Sequence, residues 1–386
     1  MSIVGTARIH DGLRTVIVPS VSSLNCHAWD ALVADRDFYH CHGWLSALEH
    51  ALGPAELLTL QGPNGLSGGC ALWSGEREPG LFCLSDYFPG LAGPWQREFL
   101  WIGARRSTHN EIPCSLGSSR DRILRSIMQA SVDLAQKRGL AGVLAPYMPL
   151  GKALELAAWH DQARVILHSA EASLAVPPGG LAGAMEVIDK RSRWRTRKEL
   201  SVFAERGCRV EWRTFDPELE QVASGLIAQN RSKYGSQQGA MWMRRMFDGQ
   251  RRSGVLDAAI AAVAYRSDKV IAVAVFYRLG KTLHYRYFGS DYRVTDDDFR
   301  YFVLSFYELL DWAAAHGVET VELSTSSLQA KSLRGGIVNP LAAVVLLTDS
   351  APPSHESVAR HNTCFAVEHR DAFKRRLSPD WNLIFS

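Results

Sequence analysis

A lysine and an arginine stand three residues apart, Lys331 and Arg334, in the second half of this 386-residue chain. They follow a short apolar segment, Val318–Ser324, whose composition predicts a strand. A lysine just beyond a strand can stabilise the oxyanion that forms when an amine attacks an ester. An arginine there can hold a carboxylate or a phosphate. The alternative is an ordinary surface turn, in which both residue types are common.

Two tyrosines, Tyr285 and Tyr287, lie on a predicted strand upstream of this pair. Side chains alternate along a strand, so the segment Leu283–Phe288 places both tyrosines on one face. His284 and Arg286 then fall on the other face. Either phenol can donate a proton to the leaving group of an acyl transfer. Packing residues with one satisfied hydroxyl are the alternative.

Two acidic residues complete the candidate chemistry. Asp291 follows the tyrosine strand and can accept a proton or bind an acceptor amine. Glu322 alternates with Val321 and Leu323, so it either faces a cleft or ends the strand in solvent. We expect direct transfer, without a covalent enzyme intermediate.

The segment 190–206 is strongly basic, since it carries seven cations against Glu199 and Glu205. A helix of this kind can contact the phosphates of a tRNA acceptor stem or of a nucleotide-linked acceptor. A solvated helix with cations spread around it is the alternative. The cations are Lys190, Arg191, Arg193, Arg195, Arg197, Lys198 and Arg206, with Trp194 among them. Arg193, Arg197 and Lys198 are the candidate substrate contacts.

Length and composition limit the remaining possibilities. A chain of 386 residues exceeds the usual size of a single core, so we expect two domains. The net charge of +3 gives no general affinity for nucleic acid or anionic membranes, so either partner would need a local patch. The seven cysteines are scattered, which argues against disulfides and a bound metal. Without a signal-peptide core or a membrane-spanning segment, we expect a cytoplasmic protein.

A weak internal repeat with an offset of 178 residues organises the chain. One helical pattern begins near Arg120 and ends at Gly139, and its counterpart ends at Gly317; both glycines suit a left-handed cap. A hairpin and a third strand from Leu81 precede the first of these helices. A meander of three strands precedes the second helix, and a short strand follows each helix. The matching apolar positions are Leu124, Met128, Val132 and Ala135, and Phe302, Phe306, Leu310 and Ala313.

The repeat predicts a mixed α/β (α+β) chain of two tandem lobes, each a mixed, mostly antiparallel sheet flanked by helices. The lobes are expected at 1–178 and 179–386, with the principal cleft in the second, because Pro177-Pro178 cannot continue a helix or a central strand. A helix is predicted over Leu181–Arg206, and a short one near the C-terminus over His369–Leu377.

A meander followed by a helix and a further strand resembles the central part of the GNAT acyltransferase fold. Within residues 283–347 the resemblance narrows to the FemAB-like peptidoglycan biosynthesis/recognition proteins, in which an aromatic-rich strand, a helix and a strand precede a Lys-x-x-Arg-Gly segment. The matching residues are Tyr285, Tyr287, Tyr307, Gly317, Lys331, Arg334 and Gly335. Residues 325–330 and 339–343 depart from the family pattern, which places the family's usual substrate in question.

The resemblance implies a function as well as a fold. Relatives of Fem type transfer an amino acid from aminoacyl-tRNA to an amine or hydroxyl, on cell-wall precursors or small metabolites, with no resident cofactor. In the first lobe, Trp44 and the loop that contains Asp86 and Tyr87 resemble acceptor-binding elements of related transferases. A helix anchor and a turn are the alternative reading of these residues.

The loop before the central helix bears on the donor. GNAT enzymes that use acyl-CoA hold its pyrophosphate there with a glycine-rich loop and a helix start. The second lobe has no glycine in this stretch but three aspartates, residues 296–298, which would repel a pyrophosphate. Thr295 and Asp298 also have the spacing of a capping box. This loop therefore argues against acyl-CoA as the donor in the second lobe. The donor that the resemblance to Fem-type proteins implies is aminoacyl-tRNA.

Two other functions stay open. The first lobe has Gly117, Ser118 and Ser119 at a helix start, so an acyl-CoA-dependent N-acyltransferase that binds CoA there, near Arg120 and Arg122, is the first alternative. The second is a non-catalytic protein that recognises a saccharide or a nucleotide.

Overall fold

The computed structural model describes residues 8–10, 12–74, 83–117, 119–294 and 297–385. The chain forms two compact units, one made of Met1–Glu171 with Val338–Ser386 and the other of Ala172–Ile337. The first junction lies near the boundary expected at residue 178, whereas the C-terminal segment belongs to the first unit. These units record which residues pack together, and the division into tandem lobes 1–178 and 179–386 stays a prediction.

Some residues used in the predictions lie outside the described residues. They are Leu81, Phe82, Ser118, Thr295 and Asp296.

The first unit is built on a mostly antiparallel sheet. Its strands in chain order are β1 (Arg8–His10), β2 (Leu13–Val18), β3 (Glu56–Gly62), β4 (Gly65–Ser74), β5 (Leu100–Ile102), β6 (Gly142–Pro149) and β7 (Arg164–Ala175), the last of which ends in the second unit. Each of the first four strands pairs antiparallel with the next, and β5 runs parallel to β6. The predicted hairpin is confirmed as β3 and β4, but the strand that pairs with β4 is β5, well downstream of Leu81.

The helices of this part of the chain include the long helix that the repeat predicts. They are α1 (Cys26–Asp30), α2 (His42–Leu52), α3 (Leu84–Tyr87), α4 (Arg120–Lys137) and α5 (Leu150–Ala157). The four apolar positions predicted for α4 are all buried. The chain turns after α4 at Gly139, whose φ of +65° is readily adopted by glycine.

The second unit contains the predicted meander. Its strands are β8 (Cys208–Arg213), β9 (Ala259–Arg266), β10 (Lys269–Leu279), β11 (Thr282–Ser290) and β12 (Thr320–Glu322). Strands β8 to β11 are antiparallel neighbours in sequence order. Strand β12 runs parallel to β11 and pairs on its other side with residues 173–175, the end of β7.

The helices of the second unit depart from prediction at one point. They are α6 (Gly180–Val187), α7 (Lys190–Glu205), α8 (Pro217–Lys233), α9 (Ala240–Arg252), α10 (Arg300–Phe302), α11 (Glu308–Ala315) and α12 (Leu328–Ser332). The single helix predicted over Leu181–Arg206 is broken before α7. Asp189 causes the break, because its carboxylate accepts hydrogen bonds from the backbone N–H groups of Arg191 and Ser192 and caps α7.

The central helix of the second unit contains an irregular turn. A π-helical turn, Val303–Tyr307, joins α10 to α11. Phe306, Leu310 and Ala313 are buried as the repeat predicts, and Gly317 turns the chain with a φ of +65°. Single π-helical turns occur often at functional sites, and this one carries Ser305 and Tyr307.

The chain returns to the first unit with β13 (Ile337–Leu347), antiparallel to β6, and α13 (His355–Phe373). The short helix predicted over His369–Leu377 is therefore wrong in its bounds, because Ser354 caps α13 much earlier. The mixed α/β class of the chain is confirmed. Within the described residues, no helix is long and apolar enough to cross a membrane.

Candidate functional site

A β-bulge in β11 turns the side chains of Tyr285 and Tyr287, the two candidate proton donors, to opposite faces of the sheet. Val275 pairs with Tyr287 while Phe276 pairs with Tyr285, so the register skips one residue of β11. An extra residue of this kind shifts the alternation of side chains. Tyr285 stacks on Phe276, with ring centroids 4.9 Å apart, and its hydroxyl lies 2.8 Å from Ser305 Oγ. Tyr285 thus faces the π-helical turn.

Tyr287 faces the other side of the sheet. Its ring meets Phe247 of α9 edge-on at 5.8 Å and Tyr277 at 6.5 Å. Tyr277 is in register with His284, so His284 shares the face of Tyr287 rather than that of Tyr285. The prediction that the two tyrosines share a face is therefore wrong, and the bulge is the reason.

A buried histidine and glutamate lie side by side where the parallel ladder of β11 and β12 ends. His284 is in register with Glu322, and both are buried, at 2% and 5% exposure. Register partners on neighbouring strands present their side chains to the same face. Glu322 is therefore buried rather than ending the strand in solvent. His284 is not among the residues predicted to act in the site, although its place one residue before Tyr285 is a usable signal.

Lys331 lies on α12 and is almost fully buried. Its Nζ donates hydrogen bonds to the carbonyl oxygen of Leu323 and, at 3.1 Å, to that of Ser324. Ser324 has a φ of +65°, so the backbone leaves the extended conformation there. The ammonium group thus places a positive charge where β12 ends, and the surface-turn alternative is wrong for this residue.

Arg334 is engaged with a glutamate far away in sequence. Its Nη2 donates to both carboxylate oxygens of Glu199 on α7, at 2.6 and 2.7 Å, and both side chains are buried. Its Nε donates to Tyr307 Oη at 3.1 Å, and Tyr307 in turn donates to Glu199 at 2.5 Å. The guanidinium also lies 3.3 Å from the centroid of the Phe302 ring.

This network ties α7 to the π-helical turn and to the end of α12. Burial and the hydrogen bond to Glu199 raise the pKa of Tyr307 to about 12, so its hydroxyl stays protonated at neutral pH. Because Glu199 and Tyr307 occupy the guanidinium of Arg334, the arginine positions other groups rather than presenting an open fork to a substrate. Tyr307 is one of the residues that match the family pattern. No signal in the sequence links Glu199 to Arg334, because the two residues are 135 positions apart.

Asp298 occupies the start of the central helix. Its carboxylate accepts a hydrogen bond from the backbone N–H of Arg300, at 3.1 Å, and ion pairs with Arg300 and Arg266, at 2.7 and 2.5 Å. Burial raises the pKa of this carboxyl, but the two arginines outweigh it and hold the pKa below its usual value. Asp297 pairs with Arg206. The described aspartates are thus neutralised by arginines, and Asp298 fills the helix start instead of repelling a ligand from it.

Asp291 is also engaged, which argues against the role predicted for it. Its carboxylate accepts hydrogen bonds from Arg293 and lies 3.4 Å from Lys269 Nζ. The hydrogen bond from Arg293 is the main reason that its pKa falls to about 2. A carboxylate with so low a pKa is a weak general base.

The basic helix α7 has one strongly cationic face. Glu199 and Phe203 point into the unit and are buried. Four cations on the opposite face are exposed, and Trp194, 61% exposed, lies among them. The four are Lys190, Arg191, Arg197 and Lys198. Arg193 and Arg195 flank this face and are half-buried. A phosphate contact and a solvated helix face both fit this arrangement, and the phosphate contact stays a prediction.

In the first unit, the side chain of Asn110 lies between β5 and β6 beyond the point where these parallel strands pair. Strands β5 and β6 pair only through Leu100 and Trp101. Beyond them, Asn110 Nδ2 donates to the carbonyl oxygens of Ile102 at 2.9 Å and Pro146 at 3.0 Å. The asparagine therefore bridges both strands at this position.

The predicted acceptor-binding residues of the first lobe are mostly packing residues. Trp44 is fully buried against Phe38 and Tyr39, as a helix anchor would be. Tyr87 is buried and its hydroxyl donates to Tyr147 Oη at 3.0 Å, whereas Asp86 is exposed. An acceptor role for these three residues stays a prediction.

At the start of α4, the helix proposed to bind CoA, Arg120 is engaged by a carboxylate of the same unit. Arg120 Nε donates to Glu155 at 2.5 Å, and its Nη2 donates to the same carboxylate at 3.0 Å. Gly117 has a φ of +99°, which suits a turn into α4. Within the described ranges, no group of three histidine, cysteine or acidic side chains can hold a metal ion.

A buried histidine of the first unit makes its stability depend on pH. His168 stacks on Tyr87, and its Nε2 accepts a hydrogen bond from Tyr147 N at 2.9 Å. Burial, and then the nearby His361, lower its pKa from 6.5 to about 3. The unfolded chain gains this proton below pH 6.5 while the folded chain does not, so stability present above pH 6.5 is lost as pH falls towards 3.

We expect the His168→Gln variant, whose side chain can still accept the bond from Tyr147, to show a weaker pH dependence. Between pH 7 and 5 the wild-type chain should lose about 2 kcal/mol of unfolding free energy more than the variant. Urea unfolding at the two pH values measures this difference. Equal losses in both proteins would show that His168 does not titrate as described.

The sequence places the chain in a known family. It belongs to the FemAB-like family, described as peptidoglycan biosynthesis/recognition, whose model matches residues 117–350, more than half of the chain. The family and the fold together define a transferase of the acyl or aminoacyl class. No curated protein sequence shows significant similarity to the chain.

Solved structures support the same fold. FemX is similar with a TM-score of 0.55 at 11% identity, over 83% of this chain and 96% of FemX. A conserved protein of unknown function from Bacteroides thetaiotaomicron gives 0.55 at 10% identity, over 84% and 98% of the two chains. The C-terminal domain of a putative lysylphosphatidylglycerol synthetase from Agrobacterium fabrum gives 0.52 at 12% identity, over 88% and 95%. At these identities the similarity shows the fold alone.

Proposed function

We propose that this chain transfers an amino acid from aminoacyl-tRNA to an amine or hydroxyl of a small metabolite or cell-wall precursor. The observation that carries the choice of donor is Asp298, whose carboxylate occupies the start of the central helix of the second unit. A pyrophosphate of CoA would have to displace a buried, doubly paired carboxylate there. Acyl-CoA bound at the first-unit helix is not favoured either, because Arg120 is held by Glu155.

Three groups of the second unit would perform the chemistry. His284, beside Glu322, accepts the proton of the attacking amine, because histidine is the side chain that most often serves as a general base. Lys331 provides a fixed positive charge at the end of β12 that stabilises the oxyanion. Tyr287, which lies on the same face of the sheet as His284, supplies a proton to the leaving ribose oxygen, whereas Tyr285 faces the π-helical turn. The amine nitrogen forms the new bond to the carbonyl carbon as the ester C–O bond breaks, with no covalent enzyme intermediate.

Helix α7 would hold the phosphates of the donor. Its four exposed cations lie opposite Glu199, whose ion pair with Arg334 fixes the helix to the segment that carries Lys331. The arrangement couples a phosphate-binding face to the candidate chemistry through two buried residues. The predicted contacts are Arg193, Arg197 and Lys198, and of these Arg197 and Lys198 lie on the exposed face.

A labelled donor tests the proposal. Purified protein incubated with a pool of tRNAs charged with labelled amino acids, and with a mixture of amines, is expected to move label into an RNase-resistant product. His284→Gln should slow single-turnover transfer by about 100-fold, the lower end of the usual effect of a general base. If label never leaves the tRNA while acyl-CoA is consumed, the proposal is wrong.

A further inference from the structure

We propose that the exposed face of α7 binds an unpaired RNA end by stacking a base on Trp194. The inference rests on the proposed function and deepens it, because it names the part of the donor that this helix takes. The unpaired 3′ end of a tRNA carries the aminoacyl ester. Along this single strand, a phosphate links each nucleotide to the next, so every unpaired base has phosphates close to it.

The arrangement around Trp194 is that of a stacking platform. The four exposed cations Lys190, Arg191, Arg197 and Lys198 all lie within about 60° of Trp194 around the helix axis. The buried residues Glu199 and Phe203 lie on the opposite side. Lys198 Nζ is 5.1 Å from the centroid of the Trp194 ring. The indole of Trp194 therefore makes a cation–π contact with Lys198, and three further cations lie on the same face of the helix.

An exposed tryptophan among cations fits a nucleotide better than another surface. Bases stack on aromatic rings whatever their sequence, and cations next to the ring bind the flanking phosphates. A helix that lies on a membrane needs a continuous apolar face. Between residues 190 and 198 the exposed face of α7 has Trp194 as its one large apolar side chain. Further along the same face Ser201 and Glu205 are exposed, and Glu205 would repel an anionic surface.

Binding of two RNA probes tests the stacking. The first is a short RNA hairpin that ends in a single-stranded 3′ overhang, and the second is the same hairpin with a blunt end. Trp194→Leu is expected to weaken binding of the overhang probe by about 30-fold, the middle of the range for one stacked base, and to leave the blunt probe unchanged. Trp194→Phe, which keeps an aromatic ring, should stay within about twofold of wild type.

Charge removal separates this face from general basicity. Arg197→Ala with Lys198→Ala is expected to lower the salt dependence of overhang binding by about 0.7 per lost phosphate contact. The matched control is Lys374→Ala with Arg375→Ala, two exposed cations of the first unit, which should leave that slope unchanged. Equal effects of both double variants, or equal effects of Trp194→Leu on both probes, would overturn the proposal. So would loss of binding to phosphatidylglycerol vesicles in Trp194→Leu without any change in RNA binding.

The outcomes also distinguish this inference from the proposed function. If aminoacyl transfer from tRNA occurs but Trp194→Leu leaves overhang binding unchanged, the stacking proposal alone is wrong. If the overhang probe depends on Trp194 but the protein consumes acyl-CoA instead of the aminoacyl ester, the proposed function is wrong and the RNA surface remains.

Discussion

Replacing Arg334 with methionine is expected to lower the unfolding free energy of the second unit by about 3–5 kcal/mol, the usual cost of leaving a buried charge without its partner. Methionine retains much of the volume of arginine, so the loss reflects charge rather than a cavity. Glu199 would remain buried with only the Tyr307 hydroxyl to stabilise it. Urea unfolding, followed by hydrogen exchange at the amides of α7, measures the change in this unit.

A second variant separates the ion pair from packing. Combining Arg334→Met with Glu199→Gln removes both charges, and this double variant is expected to recover at least half of the lost stability. Arg360→Met is the matched control, because its salt bridge with Glu356 is highly exposed and should contribute less than about 1 kcal/mol. A loss of less than about 1 kcal/mol in Arg334→Met would contradict a central structural role for this pair.

The second large effect is expected on catalysis. Lys331→Gln keeps a hydrogen-bond donor for one of the two carbonyls but removes the positive charge at the end of β12. We expect kcat to fall by about 100-fold or more, as when a single oxyanion-stabilising donor is lost, with KM for the charged tRNA unchanged. Single-turnover transfer measured on folded protein gives the rate free of product release.

Stability must be measured in the same variant, because a carbonyl left without its donor costs about 1–3 kcal/mol. Lys281→Gln serves as a control, since Lys281 is exposed and pairs with exposed Glu319. A folded Lys331→Gln protein that keeps the wild-type kcat would show that Lys331 only holds the backbone of Leu323 and Ser324 in place.

The elements of the fold could largely be predicted from sequence because they follow local rules. Apolar spacing located α4 and the central helix of the second unit, and Gly139 and Gly317 marked where these helices end. Turn residues located the meander of β9, β10 and β11. In each case the signal lies within the element or directly beside it.

The geometry of the candidate site could not be predicted in the same way. The bulge that separates Tyr285 from Tyr287 depends on how β11 pairs with β10, and strict alternation along one strand cannot reveal it. The partner of Arg334 is Glu199, which lies on another helix. In the sequence Glu199 is one of two acidic residues in the basic segment 190–206, and nothing there predicts its ion pair with Arg334. Lys331 was located correctly at the strand end, but its burial follows from α12 folding back over Leu323 and Ser324.

The most direct test of the central claim, that the site uses an aminoacyl ester of RNA and not a CoA thioester, is a donor competition in a single tube. Equal concentrations of an aminoacylated RNA hairpin and acetyl-CoA are incubated with the protein and an amine mixture, and both free RNA ends and free CoA thiol are followed. We expect the ester to be consumed in proportion to product, with no thiol released above the protein-free control. Release of thiol in proportion to product, with the aminoacyl ester intact, would show that the site uses a CoA thioester.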